Sequence, residues 1–306
     1  MNEVKFGIGL RRPEAVVADA QKAESLGYQF ATTGEHVFFH GSTTNGLITL
    51  AAAAGATTTI ELMSSITLVP LYPAALLARL VSTLDIVSGG RFHLGIGVGG
   101  EYPKEFEACG VPVNERGART NEALEVLHKL MTETDVTFDG KFTKLSGVTM
   151  QPSPISKPHP PIWVSGRTQA AMRRCARYGT GWLPYMYTPE RLAQSLDSIG
   201  SMAADAGRDG QVEPGMFIFF AVHEDAKVGV QMAVDKLSTQ YNQDFSKLVG
   251  RYAIAGSPEQ CIARMREYID AGARTIILSS VCPPDYVEEN ERFLAEQVLP
   301  VFRESH

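Results

Sequence analysis

Glu35 and His36 stand side by side where an apolar stretch, 28–33, gives way to a polar loop. A carboxylate beside an imidazole at a strand end can give or take a proton near working pH, although a loop histidine is equally at home simply solvated. Further on, RFHLGIGVGGE (91–101) places four glycines within six residues ahead of Glu101. A strand ends this way where something must approach the backbone. A third group, Ser165-Gly166-Arg167-Thr168, sets a small residue, a glycine, a cation and a hydroxyl before a helical pattern. This is the chemistry of a phosphate seat at a helix N-terminus, and Thr168 also suits the bare role of N-cap. Met63-Ser64-Ser65-Ile66 puts two small polar residues into an otherwise apolar run. It reads either as a bulge or as a buried serine bonded to the neighbouring strand. His36 and His40 have the spacing of helical metal ligands, but Gly41-Ser42 opposes a helix and no third ligand accompanies them, so no metal is expected.

The elements that must position these residues alternate regularly. Strand patterns at 4–10, 28–33, 60–69, 91–97, 162–165, 181–185, 215–222 and 275–279 are separated by helical patterns, which predicts one (β/α)₈ TIM barrel over 1–306. In a barrel, chemistry belongs at the C-terminal strand ends, where Glu35-His36, the glycine run and Ser165–Thr168 fall, while Met63–Ile66 lies inside the third strand. The formal G-x-G-x-x-G of Gly95, Gly97 and Gly100 would mark a dinucleotide turn only at the first strand of a Rossmann unit, and here it follows three βα units. Segment 135–160 interrupts the rhythm: an Asp139-Gly140 turn predicts a hairpin between the fourth and fifth strands, followed by a proline-rich connector. Helices at 226–241 and 258–271 place one extra helix between the seventh and eighth strands, and 286–302 closes the chain.

Composition narrows the function classes. A formal charge of −6 with no polybasic block argues against nucleic acid and anionic membrane as partners. The four cysteines form no C-x-x-C pair, which suits thiols in a reducing cytosol better than a disulfide framework or zinc site. The N-terminus has no signal-like core and no stretch is long enough to span a membrane, so a cytoplasmic protein is expected. Nothing matches a nucleophile elbow or a P-loop.

In order along the chain, RFHLGIGVGGEYPKEFEACGVP, ERGARTNEALEVL, VTFDGKF, PHPPIWVSGRT, GTGWLP and GSPEQCIARMREYIDAGARTIIL resemble the luciferase-like flavin and deazaflavin oxidoreductases, over residues 4 to about 302. The combination of Gly-Val-Gly-Gly-Glu, Glu-Arg-Gly and Pro-Pro-Ile-Trp-Val is most similar to members assigned to coenzyme F420. The resemblance implies that Glu35 contacts the cofactor and that His36 is the proton donor or substrate-polarising group. It implies a non-proline cis peptide at Ser65-Ile66 against the central ring, with Gly97, Val98 and Gly99 beside ring and ribityl chain. Ser165, Gly166, Arg167 and Thr168 fall on the phosphate-holding segment. Glu101 is the nearest match to an acid that serves as base in sugar-phosphate dehydrogenase relatives, with one inserted glycine in between. Glu35 stands where those relatives carry aspartate, and their substrate-phosphate lysines have no counterpart, so a sugar phosphate is not the expected substrate. The implied function is F420-dependent hydride transfer to or from a small organic molecule. Alternatives are an FMNH2-dependent monooxygenase that inserts one oxygen from O2 and a flavin-binding barrel without turnover. A homodimer through the apolar helices 47–56 and 74–84 is also expected.

Overall fold

The computed structural model describes residues 3–10 and 12–303. Its strands are β1 (Lys5–Gly9), β2 (Phe30–Thr33), β3 (Glu61–Ser64), β4 (Thr67–Leu68), β5 (Phe92–Gly97), β6 (Val136–Asp139), β7 (Lys144–Val148), β8 (Ile162–Val164), β9 (Gly181–Trp182), β10 (Glu213–Val222), β11 (Ala253–Gly256) and β12 (Thr275–Ser280). Parallel pairing runs β1-β2-β3-β5-β8-β9-β10-β12 and returns to β1, so eight strands close a barrel. The helices are α1 (Val16–Ser25), α2 (Gly46–Ala56), α3 (Ala74–Val87), α4 (Pro103–Ala108), α5 (Arg116–Thr132), α6 (Gln169–Tyr178), α7 (Pro189–Asp205), α8 (Ala226–Tyr241), α9 (Val249–Tyr252), α10 (Pro258–Asp270), α11 (Val287–Phe293) and α12 (Pro300–Arg303). Side-chain caps begin several of them. Thr168 and Thr188 each accept a main-chain N–H, and Ser257 with Gln260 forms a reciprocal capping box.

Strand alternation sorts the core into two shells. Phe30, Met63, Trp163, Leu183 and Ile277 point inward and plug the barrel, while neighbours such as Ala31, Leu62, Ile162 and Ile276 face the surrounding helices. His93 belongs to the inner shell, where its Nδ1 accepts from Trp163 Nε1 at 3.0 Å and its Nε2 lies 3.2 Å from Glu61. The hairpin of β6 and β7 is the expected insertion.

Three elements depart from the sequence reading. The third strand, expected to be continuous over 60–69, breaks into β3 and β4, and the break falls at the non-proline cis peptide between Ser65 and Ile66 that the family resemblance implies. The stretch between the seventh and eighth barrel strands holds more than an extra helix, because α9 leads into β11, which pairs with β10. The cause lies in β10, which pairs with β9 only at Glu213 and Pro214 and then diverges, leaving an edge that Ala253–Gly256 covers. The closing helix is interrupted at Leu294–Val298 by a π turn just before Pro300, whose missing N–H cannot continue the regular ladder.

Candidate functional site

At the C-terminal mouth the inward positions of β5 run His93, Gly95, Gly97. The reason for the two glycines is the neighbouring segment. A Cβ on Gly95 would lie 1.8 Å from the Ser64 carbonyl oxygen, and one on Gly97 would lie 2.0 Å from Ile66 Cδ1. Ser64 is wholly buried, and its hydroxyl donates to the Gly95 carbonyl and accepts from the Gly95 N–H, both at 2.9 Å. Both readings of the serine pair therefore hold together: β3 bulges into the barrel, and a buried serine ties the bulge to β5. Ser65 is fastened to β2 through its N–H on Thr33 and its hydroxyl on Thr32. The bulge carries Ser65 and Ile66 to the wall of a cavity of about 610 Å³, beside Gly97, Val98 and Gly99.

Glu35, at the end of β2, is buried, and its carboxylate works as a clamp. Oε1 accepts from Leu68 N at 2.9 Å, and Oε2 accepts from Gly46 N, Asn45 Nδ2 and Tyr72 Oη at 3.1, 3.3 and 2.9 Å. It thus joins β4, the start of α2 and the segment before α3. Burial raises its pKa, against the lowering effect of these bonds.

His36 borders the same cavity. Its Nδ1 lies 3.1 Å from Glu105 Oε2, which also accepts the Val37 N–H at 3.2 Å. Glu105, on α4, is completely buried. A carboxylate acceptor places the proton on Nδ1 and leaves Nε2 as the working nitrogen. The sequence offered no sign of Glu105: among Lys104 and Glu107 it reads as part of a solvated face, and only its neighbour Phe106, also buried, hints that this side of α4 turns inward. His40 contacts Phe39 and Tyr102 edge-on, and among the described residues no three metal-ligating side chains gather.

Glu101 sits exposed at the rim and accepts from the Tyr185 hydroxyl at 2.6 Å. Burial, reinforced by Glu101, holds the Tyr185 phenol well above its ordinary range, so it stays a donor. Arg167 lies over the Tyr185 ring at 5.0 Å, and its carbonyl accepts from Arg191. Ser165 and Gly166 reach the cavity, whereas Arg167 and Thr168 are exposed beside it and Thr168 caps α6. Among the described residues the N–H groups of Val98, Gly99 and Gly166 meet no protein acceptor.

These residues gather at the mouth of the barrel, and the luciferase-like monooxygenase family matches residues 5–275. The chain belongs to that family. An uncharacterised Mycobacterium tuberculosis protein is 31% identical over 187 residues, which cover 61% of this chain; the chain spans 64% of the length of that relative. The luciferase-like fold extends over almost the whole molecule. Monooxygenase RslO1 from Streptomyces bottropensis superposes with a TM-score of 0.85 at 26% identity, over 97% of this chain and 99% of that one. An F420-dependent secondary alcohol dehydrogenase, solved with an F420-acetone adduct, gives a TM-score of 0.87 over 99% and 100% of the two chains at 21% identity, a likeness of fold alone. Solved neighbours carry F420 in one case and FMN in another.

Proposed function

We propose that the protein is an F420-dependent oxidoreductase that moves a hydride between the deazaflavin and a small organic substrate bearing a carbonyl or hydroxyl group. The observation that carries this reading is His36, held at the cavity by the buried carboxylate of Glu105 with Nε2 left to meet a substrate oxygen. The residues present fit the cofactor. A narrow wall of small residues and Ile66 suits a flat ring, and the unbonded N–H groups of Val98, Gly99 and Gly166 suit anionic oxygens. When bound, F420 supplies hydride exchange at C5 of its ring, and the protein supplies the rest. Ser65, Ile66, Gly97, Val98 and Gly99 support the ring, and Ser165, Gly166, Arg167 and Thr168 hold the phosphate.

In the reducing direction His36 Nε2–H gives its proton to the substrate oxygen, and in the oxidising direction Nε2 takes it. Glu105 fixes the tautomer and offsets the positive charge that the ring carries whenever both nitrogens are protonated. Glu35 acts as a positioning residue, because its oxygens are committed to the loops that frame the ring site. Glu101 acts through Tyr185, whose hydroxyl it orients.

FMN-dependent monooxygenation is the second reading, favoured by the 26% identity with a monooxygenase. The two differ in their need for oxygen. Under the first reading, absorbance of oxidised F420 changes with substrate under argon and no oxygen is consumed. Oxygen uptake with reduced FMN, in step with product, overturns it. We also propose a homodimer through α2 and α3, where Ile48 is 73% and Leu76 50% exposed.

A further inference from the structure

Opposite the wall assigned to the cofactor, the cavity has a second, differently built side. Leu183 and Phe217, at the top of the barrel plug, form its floor. Phe39 stacks on His36, with ring centres 4.3 Å apart and 17° between planes, and meets Tyr241 edge-on at 6.3 Å. Tyr241 in turn stands edge-on to Phe219 at 6.2 Å. An aromatic arch therefore runs from the working histidine to the end of α8, the kind of surface that takes a flat apolar ring.

At the foot of this arch, Lys236 and Gln240 stand one turn apart on α8, and both border the cavity. Of the other charges that border the cavity, Arg12 is engaged with Asp19 and Glu288, Glu35 with its donors and Glu101 with Tyr185, while Glu14 stands exposed in the segment after β1. Lys236 is half-buried and meets no carboxylate among the described residues. An ammonium on the edge of a largely apolar chamber gains most from an anion carried by the ligand itself, through a charge-assisted hydrogen bond.

We propose that the substrate is a small aryl carboxylate: its ring packs under Phe39 and Tyr241, its carboxylate meets Lys236 with Gln240 alongside, and its reacting oxygen faces His36. This rests on the placement of the cofactor on the opposite wall, but it is tested without turnover. The probes are 4-acetylbenzoate and its neutral parent acetophenone, titrated calorimetrically into the protein with and without F420. The acid is expected to bind about 10-fold to 100-fold more tightly than the ketone. Lys236→Met should erase that preference while leaving acetophenone affinity and thermal stability unchanged, and Tyr241→Ala should weaken both probes. Equal affinities, failure of both probes to bind, or an acid preference that survives Lys236→Met overturns the assignment. If Lys236→Met instead weakens F420 and spares the acid, the ammonium belongs to the acidic tail of the cofactor and the substrate assignment falls. Loss of F420 binding in the native protein with the acid preference intact removes the cofactor reading and leaves this one standing.

Discussion

With Nδ1 tied to the buried carboxylate of Glu105, His36 presents one tautomer and one orientation to the cavity. Glu105→Gln keeps the shape but removes the charge, and the amide can turn its NH₂ toward Nδ1 and favour the wrong tautomer. Turnover is expected to fall about 10²-fold with cofactor affinity little changed, as for His36→Ala, and the double variant should be no slower than either single one. Steady-state kinetics with a fluorescence titration of the cofactor checks this, and additive losses would show that the two side chains do not act as a unit. Glu35-His36 was legible because an acid and an imidazole are adjacent at a predicted strand end. Glu105 was not, since its partner lies 69 positions away and only the fold joins them. Separation in sequence also hid Lys236, an ordinary lysine on an amphipathic helix until β10 and α8 set it at the cavity.

At the level of elements, the glycines of β5 make a graded prediction. In Gly95→Ala the new methyl meets a main-chain oxygen at 1.8 Å, which cannot move aside without unseating the bulge of β3. The expected loss is at the upper end of the ~1–3 kcal/mol typical of overpacking, or beyond, read as a lowered melting temperature. In Gly97→Ala the contact at 2.0 Å is with the end of a flexible Ile66 side chain, so stability should fall less while cofactor affinity changes, because Ile66 forms the cavity wall. Equal destabilisation by both would contradict this account of the bulge. The glycine run announced a strand end in the sequence, and its formal dinucleotide pattern was resolved by counting units. Its physical cause, room for a neighbouring strand, appears only with the register of β3 and β5. β11 escaped notice for a similar reason, because Ala253–Gly256 carries no strand pattern of its own and pairs only where β10 leaves β9.

For the molecule as a whole, the barrel was readable from the alternation of eight strand and helix patterns, which set the order of layers and placed the site at one end. Its stability should show one clear acid limb. Glu24 on α1 collects the N–H groups of Thr58, Thr59 and Ile60 at the entry to β3, and these bonds, led by that of Thr59, lower its pKa from 4.5 to about 2. A depressed folded-state value means that the contribution is present above pH 4.5 and is lost as pH falls toward 2. Chemical denaturation of the native protein and Glu24→Gln should therefore differ above that window and converge within it; a constant gap would refute the clamp. Assembly is tested by sedimentation, with a dimer expected for the native chain and a monomer for Ile48→Glu combined with Leu76→Glu. The central claim is the choice of cofactor, and it is tested most directly by titrating purified protein into F420 and, separately, FMN while following their fluorescence. The account predicts saturable change with F420 at micromolar protein and none with FMN, whereas tight binding of FMN with F420 ignored would contradict it.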